Sequence, residues 1–509
     1  MNSRRYLVMA ALVVASGASI VAYAQDEHDA LRYSFLMPTG TARSLGFGSA
    51  LGSVGGDFTS LSVNPAGIGI YRRSEVMFTP SVKFNNADGR YLGDINDDNS
   101  SKFNFNNIGI VLTRAEKGKR YERSSWKAIS FGIGLNRMAD FNRNYTYGGL
   151  MRGTGDNYSS FSEVFVANAN ADPMNYQREG SLANLGYESY LVDLDSAGFY
   201  TLANWNTGLN QFRTVTQRGG INELVFSLGG NYEEKLMIGA TLGLPTVRYT
   251  RESFFEETDA TDDPNNYFRS FSYHEHLATS GMGVNFKLGL IFKPNDMVRF
   301  GVAVHTPTKY WLSDIYNNDL TANTETFKTT LSNPPSNMSP VTSVAAPENR
   351  FNYQLITPWR AILSGTAMMG QYGFVSADYE YVDYGTIKYD FESLYSADQA
   401  AENRVIRNAY KGASNFRLGI EGRMDNFFLR GGFGYYGSPF KASISNTSRK
   451  NFSLGVGFRS DAFFTDLGFM HTRYDEQEIP YTLPAPVITP TARIENRLNT
   501  IALTIGWKM

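Results

Sequence analysis

The sequence predicts an all-β fold, a transmembrane β-barrel of about fourteen antiparallel strands closed around an N-terminal luminal hatch. Three observations support this prediction. Beyond residue 24, no stretch approaches the roughly 18 apolar residues that a spanning helix needs. From Glu75 onward, segment after segment is apolar at every second residue. Short and long connections mostly alternate, as in barrels with tight periplasmic turns and long extracellular loops.

The first 24 residues are predicted to be a signal peptide. Arg4 and Arg5 precede an apolar run from Tyr6 to Val21, and Ala22-Tyr23-Ala24 offers a cleavage site before Gln25. The chain has 0 cysteines, which excludes an acylated cysteine anchor, a disulfide and a thiolate metal site. We therefore expect the fold itself to hold the protein in the outer membrane of a Gram-negative cell.

The composition argues against nucleic-acid binding. The formal net charge is −2, and no basic stripe interrupts the mixture of charges along the chain. Phosphate backbones are bound by concentrated Lys and Arg, which this sequence lacks. The 48 glycines, 31 tyrosines and 35 phenylalanines stand beside a mean hydropathy of −0.31, and with no long apolar stretch after residue 24 a helical membrane protein is also excluded.

The segment 25–74 is predicted to be the hatch, and 75–509 the barrel. The segment is rich in Gly, Ala and Ser, does not alternate, and contains the break Asn64-Pro65-Ala66-Gly67. Irregular backbone at membrane depth is tolerated where it is buried in protein, for example in the lumen of a barrel. The alternative is a disordered periplasmic tail.

The barrel strands are predicted from their alternation. In 451–459, for example, Phe452, Leu454, Val456 and Phe458 share one face. Asn96 to Asn99 is expected to form a turn. The long segment 148–219 is a candidate lid over the extracellular mouth. The basic stretch Arg114 to Ser125 departs from the pattern, because a tight periplasmic turn is expected there.

Charged residues on the polar face of the strands are expected to point into the lumen. Charges of both signs in a lumen normally pair, so we interpret them mainly as contacts to the hatch. A second interpretation is that one of the arginines receives a ligand carboxylate through paired N–H donors. The predicted luminal charges are Arg299, Asp378, Glu380, Arg417, Glu421, Arg430 and Arg459.

The sequence contains no complete catalytic or metal-binding motif, and no cofactor is expected. There is no Gly-x-Ser-x-Gly nucleophile motif. His274 and His276 would share one strand face and could bind a metal or haem iron, but a solvated strand-end pair is favoured. Asp94, Asp97 and Asp98 lack the glycine and distal glutamate of a calcium loop.

Several motifs in chain order resemble the long-chain fatty acid transporter family (FadL, OmpP1, TodX), especially its Bacteroidetes-type members. The opening carries Ala42-Arg43-Ser44-Leu45-Gly46 followed by Asn64-Pro65-Ala66-Gly67, the most specific part of the match. Later motifs continue it, namely Gly243-Leu244-Pro245, Val304-His305-Thr306-Pro307-Thr308, Thr357-Pro358-Trp359-Arg360, Ala377-Asp378-Tyr379-Glu380-Tyr381 and Gly437-Ser438-Pro439-Phe440.

The resemblance implies passive, ligand-gated transport of a hydrophobic small molecule, such as a long-chain fatty acid or another hydrocarbon-like compound. It implies a lateral exit at an inward kink of the third strand, near Gly134 to Asn136. Gly132 and Gly134 lie on one face of that strand, where glycine permits a kink or makes room for the hatch. The alternatives are a haem-binding receptor and a structural or adhesive barrel that displays its loops.

Two further partners are expected besides the ligand. One is outer-membrane lipid against the apolar face of the barrel. The other is the barrel-insertion machinery, which reads an aromatic residue near the end of the last strand. Trp507, two places before the C-terminal Met509, is the candidate for that signal.

Overall fold

The fold is seen in a computed structural model that describes residues 27–37, 39–152, 159–172, 174–261, 263–441, 447–484, 487 and 489–509. The predicted signal peptide and the first residues of the predicted hatch lie outside these ranges. The strands are β1 Glu75–Tyr91, β2 Asp94–Ala115, β3 Trp126–Asp140, β4 Arg143–Met151, β5 Val192–Asp195, β6 Gly198–Thr201, β7 Leu209–Tyr232, β8 Leu236–Asp259, β9 Ser270–Phe292, β10 Val298–His305, β11 Lys309–Asn323, β12 Val341–Ala345, β13 Asn349–Ile356, β14 Arg360–Met368, β15 Gly373–Asp383, β16 Lys388–Asp390, β17 Gly412–Met424, β18 Phe427–Tyr436, β19 Arg449–Arg459, β20 Phe463–Glu478 and β21 Ala492–Lys508.

These strands build a closed antiparallel barrel of fourteen wall strands, which confirms the predicted fold class. Some wall strands are interrupted and carry two labels, as where β10 continues into β11 and β13 into β14. Pro307 and Pro358 lie in these two interruptions, because proline cannot donate a ladder hydrogen bond. Closure comes from β1 and β21, which pair from Glu75 and Lys508 to Arg90 and Arg493.

The predicted turn at Asn96 to Asn99 is wrong. These residues belong to β2 and pair with β1, for example Asp98 with Ala87. The chain turns instead at Leu92 and Gly93, whose φ angles are 51° and 98°. Two residues with positive φ match the twist of a two-residue hairpin, so they determine the turn despite the more polar segment nearby.

The structure also moves several other boundaries. Alternation of apolar and polar residues predicts a continuous third strand over 126–147, whereas the strand in the structure breaks at Phe141 and Asn142 between β3 and β4. The next wall strand, predicted to begin near residue 220, begins at Leu209, so less of the chain remains for the loop that precedes it. That loop, 152–208, holds two helices and the β5–β6 hairpin.

The outer face of the wall is apolar. On β21, Ile501, Leu503 and Trp507 are exposed, while Ala502 and Thr504 between them are fully buried on the inner face. Neighbouring strands repeat this pattern, with Leu467 on β20 and Leu454 on β19 both exposed. Lipid-facing and lumen-facing residues alternate in this way in transmembrane barrels.

The helices lie in the lumen, the loops and one turn. They are α1 Glu27–Ser34, α2 Ala42–Gly46, α3 Ser60–Val63, α4 Lys119–Arg123, α5 Ser162–Ala171, α6 Leu182–Glu188 and α7 Ser396–Ala409, with short 3-10 helices at Pro65–Ile70, Asn175–Gln177, Phe327–Thr330, Tyr384–Thr386 and Ser393–Tyr395. Among the described residues, no helix has the length and apolar composition needed to cross a membrane. Helix α4 occupies the basic turn, where the Tyr121 hydroxyl donates a 3.0 Å hydrogen bond to Glu234 of the adjacent turn.

Candidate functional site in the lumen and wall

The described part of the N-terminal segment packs inside the barrel up to Tyr71, and the exposed Arg72 and Arg73 follow it at the end of the wall. Its residues from Ala42 to Ala50 are buried without exception. The Ala42 amide donates a 2.7 Å hydrogen bond to Thr504 Oγ1 on the last strand, 462 positions away. At another point, Arg299 Nη1 donates to the Val54 carbonyl at 2.9 Å. The segment therefore contacts the wall at several distant places.

The Asn64-Pro65-Ala66-Gly67 turn fits against two glycines of the wall. Asn64 caps the 3-10 helix by accepting a hydrogen bond from the Ala66 amide at 3.1 Å, with Pro65 in the first helical turn. A Cβ added to Gly239 or Gly289 would overlap this turn. The close approach of two backbones is what requires glycine at these wall positions.

One charged network joins the segment to the wall through Arg43 and Glu421. Arg43 Nε and Nη2 donate to the two carboxylate oxygens of Glu421 at 2.9 and 3.1 Å. Glu421 also accepts from Arg430 at 2.6 Å, and Arg430 lies 2.7 Å from Asp466. Burial opposes the positive charge of Arg43, but the adjacent Glu421 raises the pKa of this guanidinium above its usual range. Arg459 completes the network, 3.7 Å from Asp466.

A second network shares strand β17 with the first, because Arg417 and Glu421 both lie on that strand. Glu380 accepts hydrogen bonds from Arg360 and Arg417, each at 3.0 Å. Asp378 lies 3.5 Å from Arg417 and accepts from the Gly52 amide of the N-terminal segment at 3.1 Å. All seven predicted luminal charges thus lie on the inner face, and three of them, Arg299, Asp378 and Glu421, contact the segment directly.

The predicted lateral-exit glycines lie in an unbroken part of the wall. Gly132 and Gly134 pair in register with β2 and with β7. A Cβ on Gly132 would overlap Leu61 of the N-terminal segment, and one on Gly134 would overlap the backbone of Ile108 and Gly109 on β2 as well as Phe58 of the segment. Both glycines therefore make room for the segment, and Gly134 also allows the close approach of β2.

Asn136 marks the place where the wall ladder stops. The β2–β3 ladder runs from Ala115 paired with Ala128 to Asn107 paired with Asn136. Beyond that rung, residues 94–106 of β2 have a ladder only with β1, because the chain from Asp140 turns inward and β4 pairs with β7 alone. On that side, the part of β2 toward the extracellular end has no backbone ladder in the described structure, and its contact to β4 is through side chains, as where the Gly148 amide donates to Asn96 Oδ1 at 2.8 Å.

Polar groups converge at this ladder end. Asp140 accepts hydrogen bonds from Lys83 on β1 and Asn104 on β2, each at 2.9 Å, and from Arg137 at 3.0 Å. Both Asn106 and Asn107 are 2 % exposed. Buried amide atoms without a partner in the described structure cluster here, namely Asn85 Oδ1, Asn106 Nδ2, Asn107 Nδ2, Asn107 Oδ1 and Asn136 Oδ1. Unpartnered buried amides of this kind are rare and require water or a ligand group.

Two apolar clusters fill the space between the extracellular loops and the ladder end. The outer cluster packs Phe161 and Phe165 of the long loop against Phe255, Tyr273 and Tyr481. The inner cluster surrounds Tyr33 of α1 and includes Tyr249, Tyr310, Tyr353 and Tyr389. Phe141, one residue beyond Asp140, packs on the inner cluster with its ring 6.1 Å from that of Tyr33 and 5.6 Å from that of Tyr249.

The two neighbouring histidines face outward. His274 and His276 alternate with the buried residues Tyr273 and Leu277 of β9, and their rings hydrogen-bond to Glu252 at 2.9 and 2.7 Å. No group of three or more potential metal ligands is arranged to hold an ion in the part of the chain that the structure describes. The pair cannot line a haem site in the lumen.

Several site residues escaped the sequence analysis. Arg43, Asp466 and Arg360 complete the charged networks, and Asp140 closes the ladder end. A buried ion pair of Lys287 and Glu223 also reaches the segment, since Ser62 donates to Glu223 at 3.0 Å and accepts from Asn136 at 2.9 Å. Most of these residues lie on the polar face of an alternating strand, and that position in the sequence could have identified them as luminal.

A membrane barrel whose N-terminal segment packs against the inner face of its own wall is the class of protein that this fold and site define. The family model for outer membrane protein transport proteins (OMPP1/FadL/TodX) matches residues 223–502, more than half of the chain. The chain belongs to this family. The family forms passive outer-membrane transport channels and not enzymes, which confirms the predicted localisation and the absence of catalysis.

Solved structures agree on the fold. A FadL homologue from Pseudomonas aeruginosa matches with a TM-score of 0.53 at 12% identity, covering 93% of this chain and 99% of that one. The toluene transporter TodX from Pseudomonas putida matches with a TM-score of 0.50 at 12% identity, with the same coverage. No curated protein sequence matches the chain.

Proposed function

We propose that this protein carries a hydrophobic small molecule across the outer membrane by passive, ligand-gated diffusion and releases it sideways through the wall. The ligand class is a long-chain fatty acid or another hydrocarbon-like compound. The observation that carries the proposal is the unpaired edge of β2 above Asn107 and Asn136, to which the apolar clusters lead. An apolar molecule that leaves through the wall never crosses the polar periplasmic end.

The proposed route begins at the outer cluster under the long loop. Phe161 and Phe165 can be displaced with the loop, which leaves an aromatic surface on the strands for the ligand. The ligand then replaces contacts within the inner cluster, where Tyr33 of α1 packs on wall tyrosines. Both clusters are tightly packed, so the ligand must displace their side chains in order to pass. This displacement by the ligand is what we mean by ligand gating.

The proposed exit is the ladder end and not the glycine pair. Asp140 links β1, β2 and β3 by side-chain hydrogen bonds where backbone pairing stops. Side-chain contacts can break without dissolving a ladder, so this part of the wall can open at lower cost than any paired strand. The unpartnered amides of Asn106, Asn107 and Asn136 supply donors and acceptors for a polar group of the ligand.

The test closes this gap covalently. Because the chain has 0 cysteines, an Asn104→Cys, Asp140→Cys pair can be joined by a disulfide or a short thiol crosslinker without side reactions. We expect joining to abolish uptake of radiolabelled oleate or toluene by cells that produce the variant, and reduction of a disulfide to restore it. Folded barrel is measured in parallel by heat-modifiable migration.

The matched control joins two strands that are already paired. Thr113 and Ser130 face each other in the β2–β3 ladder, with hydroxyl oxygens 2.9 Å apart. A Thr113→Cys, Ser130→Cys pair should leave uptake unchanged when joined. Normal uptake by the fully joined 104–140 variant would rule out the lateral exit and leave a path past the N-terminal segment.

A further inference from the structure

Three cations form a row on the outer surface of the barrel, on three adjacent strands. Arg497 of β21 lies directly opposite Arg473 of β20, which lies directly opposite Lys450 of β19. All three are exposed, with 47% of the Arg497 side chain and 62% of the Arg473 side chain accessible. We call these three residues the cation row.

The cation row is electrostatically unfavourable in isolation. Like charges directly opposite each other across strands destabilise a sheet. Arg497 forms an ion pair with Asp88, Arg473 is 3.9 Å from Glu495, and no carboxylate in the described structure lies within 4 Å of Lys450. The nearest carboxylates form a second row, on the side of the cation row that is farther from the membrane. Arg90 and Arg493 also contact this second row. Its members are Asp97, Asp88, Glu495 and Asp475.

On the membrane side, no carboxylate balances the row. On the outer face of the same strands, the neighbours of the row on its periplasmic side are Asn499, His471 and Phe452. One step closer to the periplasm, the exposed apolar band begins with Ile501 and Phe469. An anion approaching from the lipid side would therefore meet three cations and no opposing charge.

The height of the row fixes the kind of anion. Arg497 is ten residues from the periplasmic aromatic Trp507, and Arg473 is ten residues from Phe463. A barrel strand crosses the hydrocarbon core in about 9–11 residues. The row thus lies where the hydrocarbon of the outer leaflet meets its headgroups.

We propose that the cation row binds the phosphate groups of a phosphorylated glycolipid of the outer leaflet, whose acyl chains lie on the apolar band beneath. Arginine offers phosphate two parallel N–H donors, and lysine adds a compact charge. Bound phosphate offsets the repulsion among the three cations. This site is separate from the transport route, on the outside of the wall, and it goes beyond the proposed function.

The test compares the full-length wild-type protein with an Arg473→Gln, Lys450→Gln variant in detergent. Diphosphoryl lipid A and its dephosphorylated form are added separately, and native mass spectrometry counts the lipid retained. We expect the wild type to retain the phosphorylated lipid and the variant to bind it about tenfold more weakly. Without lipid, the variant should unfold at the same temperature as the wild type or higher, because repulsion is relieved.

The control removes two exposed cations that no other cation opposes. Arg248 of β8 lies opposite Gly220 and Ser280, and Arg350 of β13 lies opposite Ile315. An Arg248→Gln, Arg350→Gln variant should retain lipid A like the wild type. Equal loss in this control, equal retention of the dephosphorylated lipid, or binding of inorganic phosphate as tight as that of the lipid would overturn the proposal.

Discussion

Lys83 Nζ and Asp140 Oδ1 lie 2.9 Å apart and join β1 to the end of β3, across the part of β2 that has no ladder on that side. The pair is mostly buried, with 15% and 8% of the two side chains exposed. Removing one partner of such a pair costs more than the pair contributes, because the other charge remains desolvated. The integrity of the wall at this level consequently rests on side chains.

The first prediction follows from this pair. Asp140→Asn should increase hydrogen exchange of the β2 amides at 99–106 about tenfold or more, since each 1.4 kcal/mol lost from local closure is a factor of ten. Residues 108–115, which are held by the ladder to β3, should keep their exchange rates. Exchange by mass spectrometry measures both regions at once. Glu348→Gln, at an exposed ion pair, serves as the control, and equal protection of 99–106 in Asp140→Asn would contradict the prediction.

Deleting residues 25–73 should leave a barrel that inserts but conducts ions far better in planar bilayers. The deletion removes the mass that fills the lumen, and water then solvates the wall charges that the segment had covered. Pro65→Ala should be milder, because it frees one fixed φ angle and leaves the rest of the segment in the lumen. Unchanged conductance of the deletion would place the segment outside the lumen.

Arg43→Gln should lower the free energy of unfolding by about 3 kcal/mol, since it breaks a buried ion pair and leaves Glu421 with Arg430 alone. Urea titration of the barrel in lipid vesicles measures the change. Arg114→Gln, at a pair 3.9 Å apart with 75% of the arginine exposed, should change it by about 0.5 kcal/mol or less. Similar values for the two variants would show that the Arg43 contact does not hold the segment.

Trp507→Ala should reduce the amount of folded, heat-modifiable barrel in the outer membrane. Trp507 is 46% exposed and stacks on Phe78 of β1 at the seam that closes the barrel. Phe469→Ala is the control, because it removes another exposed aromatic from the lipid face without touching the seam. A normal folded yield for Trp507→Ala would mean that the assembly signal lies elsewhere.

Local pattern was enough to predict the wall. The alternation of Ile501, Leu503, Ile505 and Trp507 predicts both the last strand and its lipid-facing side, because a barrel strand is amphipathic along its whole membrane crossing. The polar face likewise predicts which charges point inward. It does not predict their partners, since Arg43 and Glu421 are 378 positions apart and meet only through the registers of the intervening strands.

The ladder end was harder to predict for a related reason. Glycines on the third strand suggested a kink, but the same glycines are needed by Phe58 and Leu61 of the segment inside. The glycines in the sequence indicate that a neighbouring group comes close to this strand, but they do not indicate which group that is. The inward turn at Asp140 depends on contacts from β1 and β2 that no local pattern encodes.

The hydrogen bond from the Ala42 amide to Thr504 sets an order of events in biogenesis. The N-terminal segment is enclosed by a wall whose seam is completed by β1 and β21. The N-terminal segment has to remain unfolded or loosely held until β1 and β21 are both available, and loop closure over so long a stretch is slow. A variant that lacks β21 is therefore expected to have no closed wall to hold this segment.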